Sequence, residues 1–195
     1  VSSVTGAGLD RLRTVLADSA VRARERASDD LFRLPIDRVF SVAGAGTVVT
    51  GTTWSGTVSV GDEVMVLPGP HYTRVRSIEV HGAEQPRAEP GRRTALALVG
   101  LDRGGGAVAR GSVVVADPSW QATTALDVLV TLLPESRPLT QRSPLRFHLG
   151  TAEVMARVTP LQPAIPPGAR DEPARLRLTA PIVARWGDRR VLRAA

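Results

Sequence analysis

Apolar residues recur every three to four positions at the start of the chain. Leu9, Leu12, Leu16 and Val21 fall near a 3.6-residue period with Arg and Asp between them, the pattern of one amphipathic helix. The spacing predicts a helix over 9–27, punctuated by Gly6 and Gly8 and broken by Ser28-Asp29-Asp30. Past that break the period drops to two. Leu34-Pro35-Ile36 leads into Val39, Phe40 and Val42, Gly44-Ala45-Gly46 turns the chain, and 47–54 is a β-branched run. Strand patterns follow over 63–67, 72–80, 93–99 and 112–116, separated by turn residues such as Ser55-Gly56 and Val60-Gly61-Asp62. Strands spaced this way, with no helix between them, predict a closed barrel.

Asp117-Pro118-Ser119 reads as a linker, and a second β-module follows. Its strand patterns lie over 125–130, 148–158, 174–178 and 190–192. Residues 161–173 contain Pro163, Pro166, Pro167 and Pro173 and read as a loop. The expected fold class is mainly β: two consecutive β-barrels preceded by one α-helix. A barrel that stops soon after 190–192 leaves an edge strand open, and Val1 stands where an initiator Met would. Both features set the expectation of a piece of a longer protein, truncated in the second barrel.

Composition narrows the chemistry. The chain has no Cys, which excludes disulfides, thiolate metal sites and a Cys nucleophile. Its apolar runs are no longer than a few residues, as in Val113-Val114-Val115-Ala116, too short for a membrane-spanning helix. The first residues have neither the basic start nor the apolar stretch of a signal peptide. A cytoplasmic protein with no membrane partner is expected. All 25 basic residues are Arg, against 19 acids, and the excess concentrates in 118–195. Forked guanidinium groups suit phosphate partners, although a genome that prefers Arg codons produces the same bias.

The candidate motifs are few. Gly44-Ala45-Gly46 is followed by a β-branched strand, whereas a phosphate-binding glycine turn must open a helix. There is no G-x-x-x-x-G-K-[ST] sequence, hence no phosphate cradle for a nucleotide. His71, His81 and His148 lack metal-ligand spacing, and no G-x-S-x-G elbow is present. No catalytic residue and no metal ligand is expected. Two places break their surroundings. Asp37-Arg38 interrupts an apolar strand, and Gly91-Arg92-Arg93 opens the apolar strand 94–98. Two Arg and one Asp at strand starts are able to converge into an anion pocket, with the Asp holding one guanidinium. They equally suit an edge salt bridge worth ~0–1 kcal/mol. Simple alternation would send Asp37 and Arg38 to opposite faces, and the pattern alone leaves both readings open.

The block FRLPIDRVFSVAGAGTVVTGTTWSGTVSVGDEVMVLP carries more than a pattern. It resembles the start of the second domain of translational GTPases, laid out as P-I-acid-x-V-F-x-x-x-G-x-G-T-V-V-T-G and then G-x-x-x-V-G-D. Pro35, Ile36, Asp37, Val39, Phe40, Gly44, Gly46, Thr47, Val48, Val49, Thr50, Gly51, Gly56, Val60, Gly61 and Asp62 match. VSSVTGAGLDRLR is similar to the last guanine-binding motif of such a GTPase domain and the helix after it. Ala109-Arg110-Gly111 resembles the family's R-G before the last barrel strand. At positions 38 and 93 elongation factor Tu typically has an acid and an amide, and this chain has Arg at both. That combination resembles the selenocysteine-specific elongation factors, as do 112–118 and SPLRFHLGTAEVMARV.

The resemblance implies three parts: 1–30, the end of the GTPase domain; 31–117, the second domain; and 118–195, the third. It implies an aminoacyl pocket of Asp37, Arg38 and Arg93, with Arg110 toward the 5′ end of the tRNA and Ser2 and Ser3 against guanine. Arg137, Arg142, Arg146 and Arg157 would face acceptor or T-stem phosphates. Implied partners are selenocysteinyl-tRNA, the ribosome and, through a C-terminal region absent here, a selenoprotein mRNA hairpin. GTP and Mg would belong to the parent GTPase. This chain would hold no cofactor and perform no hydrolysis itself. The choice of Arg has a physical sense: a selenol is more acidic than a thiol or hydroxyl and is anionic at neutral pH, so two guanidinium groups favour it over serine. Two other readings stay open. One is the corresponding part of elongation factor Tu or an initiation factor; the other is a β-barrel interaction module for ribosome or protein with no aminoacyl pocket.

Overall fold

The structure, a computed structural model, describes residues 1–22, 28–44, 46–101, 108–141 and 143–194. A turn closed by the Gly6 N–H on the Ser2 carbonyl at 3.0 Å leads into α1 (Leu9–Arg22). Asp10 in its first turn and Arg22 in its last suit the helix dipole. The rest of the predicted helix, 23–27, lies outside the described residues. No residue of α1 is buried, and Leu12, Val15, Leu16 and Val21 are exposed. Its apolar stripe is therefore left uncovered by the described residues.

The first β-module contains β1 (Arg33–Val42), β2 (Gly46–Thr52), β3 (Val58–Ser59), β4 (Glu63–Leu67), β5 (His71–Val80), β6 (Ala83–Gln85), β7 (Arg87–Ala88), β8 (Arg93–Leu98) and β9 (Val113–Val115). The ladders run β4-β9-β1-β2-β8-β5, and β4 also pairs with β5, which closes a six-stranded barrel. Every ladder is antiparallel. Closure leaves these strands without free edges. The interior is filled by Leu34, Ile36, Val49, Val66, Val75, Ile78, Leu96, Leu98 and Val114. β6 extends from β5, and β3 pairs with β7 as a separate ribbon. Runs of two or three residues carry no readable period, and the sequence did not predict them. Ala45, in the predicted turn between β1 and β2, lies outside the described residues.

The second module contains β10 (Ala122–Val130), β11 (Pro144–Leu149), β12 (Ala152–Pro160), β13 (Glu172–Val183) and β14 (Val191–Ala194), in the spatial order β10-β13-β12-β11-β14. The predicted strand over 148–158 is corrected here: it is the end of β11, a turn and most of β12. Gly150 takes φ +58° at that turn, a conformation glycine adopts without steric cost. A lone glycine inside a run that otherwise reads as strand disguised the reversal. Among the described residues β10 and β14 do not pair with each other, yet both line one core. Val128 of β10, Phe147, Val158 and Leu176 are buried there, with Leu192 of β14 packed against them. The sheet thus curls around its interior.

The modules meet through a third apolar cluster, in which Met65, Leu67, Val113 and Val115 pack with Trp120 and Val183. Gly150 also belongs to this contact. A Cβ there would lie 2.8 Å from the Trp54 ring, too close for any side chain.

Candidate functional site

A β-bulge places the two residues that break the pattern of β1. The register against β2 passes from Ile36↔Gly51 to Arg38↔Thr50, so Asp37 is the extra residue. Leu34 and Ile36 point into the barrel before the bulge, and Val39 packs on the same core after it. Asp37 and Arg38 are consecutive residues that both face away from the core. Alternation therefore does not separate them. The close strand approach depends on Gly51, where a Cβ would meet the Pro35 carbonyl oxygen at 2.2 Å.

Asp37 organises the site. Thr50 Oγ1 donates to Asp37 Oδ1 at 2.7 Å, and Arg93 Nη2 donates to the same oxygen at 3.1 Å. Arg93 Nη1 donates to Oδ2, which completes a forked pair. Arg93 reaches this point because β8 lies beside β2, with Arg93 opposite Thr52. Arg110 Nη1 approaches the Asp37 carbonyl oxygen at 3.5 Å, at the long limit of a hydrogen bond. Arg38 is exposed and makes no hydrogen bond or ion pair among the described residues. The Asp37 side chain is 17% exposed and that of Arg93 50%. Burial pushes the Asp37 carboxyl up. Hydrogen bonds from Arg93 and Thr50, and the charges of Arg93 and Arg38, outweigh it and hold the group below its ordinary value. One guanidinium, that of Arg93, thus binds the carboxylate, while the charge of Arg38 acts on it without contact and Arg110 reaches only the Asp37 main chain.

The other predicted residues lie apart from this corner. Ser2 Oγ accepts the Thr5 N–H at 3.1 Å within the turn before α1, and Ser3 is exposed. Among the described residues no group of three or more His, Cys, Asp or Glu is placed to hold a metal. Arg146 Nη1 donates to Glu153 Oε1 at 2.7 Å, while Arg137 and Arg157 are exposed. Arg142 lies outside the described residues.

Sequence reasoning missed the polar junction between the modules. Arg33 lies between the rings of Trp54 and Trp120, 4.8 and 5.1 Å from their centroids. Its Nη1 and Nη2 donate to the two Asp188 oxygens at 2.7 and 2.6 Å, with side-chain exposures of only 5% and 7%. Beside it Arg185 donates to both Asp30 oxygens at 2.8 and 2.5 Å and sits 5.7 Å from the Trp120 centroid. Burial pushes Asp188 up, but the Arg33 and Arg185 N–H groups and charges hold it below its ordinary value. Arg185 donates to Asp30 and lowers it in the same way. The available signal was three Trp in a chain that is only 4% aromatic. Partners 155 positions apart cannot be paired by local pattern.

The chain is similar to known proteins along nearly its whole length. The family described as Elongation factor Tu domain 2 matches residues 46–115, and the Selenocysteine-specific elongation factor, beta-barrel domain, matches 126–195. The selenocysteine-specific elongation factor of Desulfomicrobium baculatum is 38% identical over 99% of this chain and 30% of its own length. That of Escherichia coli K12 is 35% identical over 98% of this chain and 29% of its own length. The chain spans about a third of the length of these curated relatives. The crystal structure of a bacterial selenocysteine-specific elongation factor, EF-Sec, superposes with a TM-score of 0.81 at 26% identity, covering 100% of this chain and 31% of that one. The apo structure of the elongation factor SelB from Methanococcus maripaludis gives 0.80 at 28%, covering 98% and 44%. With both barrels matched and nearly every residue of this chain aligned to about a third of each relative, this chain belongs to the family of selenocysteine-specific translation elongation factors.

Proposed function

We propose that this chain supplies the aminoacyl pocket and tRNA-binding barrels of a GTP-dependent factor that brings selenocysteinyl-tRNA to the ribosome. The supporting observation is the corner at Asp37, where Arg93 forks onto the carboxylate, Arg38 stands beside it in sequence on the same face and Arg110 approaches the Asp37 main chain. The geometry divides the roles. Arg93 is committed to Asp37, so its charge is largely offset, and together they form a fixed floor. Arg38 carries an unopposed charge on the same face and meets the selenolate. Serine offers no anion, gains no such contact and binds more weakly. Arg110 extends the positive surface toward the 5′ end of the tRNA.

In this reading 1–30 is the end of the GTPase domain, 31–117 the second domain and 118–195 the third, with Ser2 and Ser3 against guanine. GTP and Mg bind in the parent protein, outside this chain. A C-terminal region of the parent contacts the selenoprotein mRNA hairpin. The relatives' name supports the aminoacyl specificity; the excess charge at the corner supports its location.

The test is competition between selenocysteinyl-tRNA and seryl-tRNA for the full-length protein with GTP. Arg38→Ala removes one charge-assisted contact of roughly 1.5–3 kcal/mol, so preference for the selenocysteinyl form falls by about ten- to a hundredfold. Arg93→Ala frees the Asp37 carboxylate to repel the anion and lowers the preference at least as far. Equal losses for both tRNAs overturn the assignment and return the corner to a surface ion pair.

A further inference from the structure

Two buried polar atoms at the junction of the modules, Arg33 Nε and Thr151 Oγ1, have no hydrogen-bond partner among the described residues. Arg33 opens β1 in the first module, and Thr151 sits in the turn between β11 and β12 of the second. The Asp188 carboxylate takes Nη1 and Nη2 of Arg33. That leaves the Nε–H of a side chain only 5% exposed. A buried donor or acceptor with nothing to bond weakens the folding equilibrium by roughly 5- to 150-fold, so each of these atoms calls for a partner.

Both residues line one small space between the modules, whose other walls include Pro35, Val113, Leu149 and Val183. The volume open to the centre of a water molecule is about 10 Å³, close to what a single water requires. Gly111 is another lining residue. A Cβ on it would lie 3.3 Å from the Ala152 Cα, tighter than ordinary contact, so the walls have no slack for a larger ligand. Charge excludes the small ions. A cation would face the guanidinium. An anion would add a second negative charge to an Arg33 that Asp188 already neutralises, between walls that offer no other cation. The ligand must accept from Nε–H and bond to a hydroxyl, which can donate or accept. Water does both.

We propose that this space holds one water molecule, which bridges Arg33 Nε–H to Thr151 Oγ1 and so joins the two modules. It completes the pairing of Arg33. It also ties the root of β1 to the β11–β12 turn, a second link besides the one to Asp188 before β14. The site does not depend on how the Asp37 corner is read.

A high-resolution crystal structure of the full-length protein tests it directly. One ordered water should lie about 2.7–3.2 Å from both atoms. In solution, magnetic relaxation dispersion of the water signal counts long-lived internal waters. Thr151→Val keeps the shape and removes the hydroxyl; the count should fall by one, and the unfolding equilibrium constant in urea should rise by roughly 5- to 150-fold. Thr151→Ser should return both to the wild-type values. If Thr151→Val fails to fold, the wild-type density and the serine variant still decide. A direct bond from Arg33 Nε to a protein oxygen overturns the proposal. So does a dry space in density that resolves other buried waters, or an unchanged count of long-lived waters in Thr151→Val. An anomalous peak at the site after a bromide soak overturns it in favour of an anion.

Discussion

Thr50 is the least conspicuous member of the Asp37 corner and the one that fixes its geometry. Its hydroxyl occupies one lone pair of Asp37 Oδ1, which orients the carboxylate for the fork of Arg93. Thr50→Val keeps the shape and removes the donor. The expected result is a loss of about 1 kcal/mol in urea unfolding, with a reduced preference for the selenocysteinyl form and little change in seryl-tRNA binding. Thr50→Ser should restore both readings. The residue types at this corner were legible in the sequence, since Asp37, Arg38 and Arg93 each interrupt an apolar run. Their division of labour was not, because it rests on which guanidinium the carboxylate captures.

At the level of the strand, a single inserted residue does the placing. Without the bulge, alternation would put Asp37 and Arg38 on opposite faces of β1; with it, the inward set changes from Leu34 and Ile36 to Val39. Register irregularities of this kind have no signature in an apolar count, so the sequence pattern left a shared corner and a plain edge ion pair both open. Gly51 shows how tightly the device is built. Gly51→Ala must displace the Pro35 carbonyl, which a Cβ would meet at 2.2 Å. Chemical denaturation should register a cost of about 1–3 kcal/mol, and selectivity should suffer as the bulge shifts. The turn at Gly150 teaches a similar lesson. A reversal lay inside what read as one strand, marked only by the Gly150-Thr151 step.

For the whole molecule, the two barrels and their order were readable from strand spacing and the linker at Asp117-Pro118-Ser119. How they are joined was not. The junction depends on Arg33, which lies between two indoles and is paired through Nη1 and Nη2 with Asp188, a pair that no local window contains. Asp188→Asn leaves a buried guanidinium without its counter-charge and should cost about 3–5 kcal/mol, measured by thermal or urea unfolding. The wild type carries its own control in pH. The Asp188 and Asp30 carboxyls lie below their ordinary values when folded. Their stabilisation is therefore complete above the unfolded carboxylate pKa, ~4, and is lost as pH falls through the lower folded values. Asp188→Asn should flatten that acid limb; an unchanged limb would mean that the junction contributes little.

The Arg33–Asp188 pair joins residues 155 positions apart, and this has a consequence for time rather than for energy. Each barrel collapses around its own core, and a contact of such long sequence separation costs a large loop closure before it returns anything. It is therefore expected to form after the rate-limiting step of folding. Breaking it should leave the refolding rate nearly unchanged and speed unfolding. The junction then acts as a clasp on finished parts: it takes no part in how fast the protein is made, and it sets how long the folded molecule lasts.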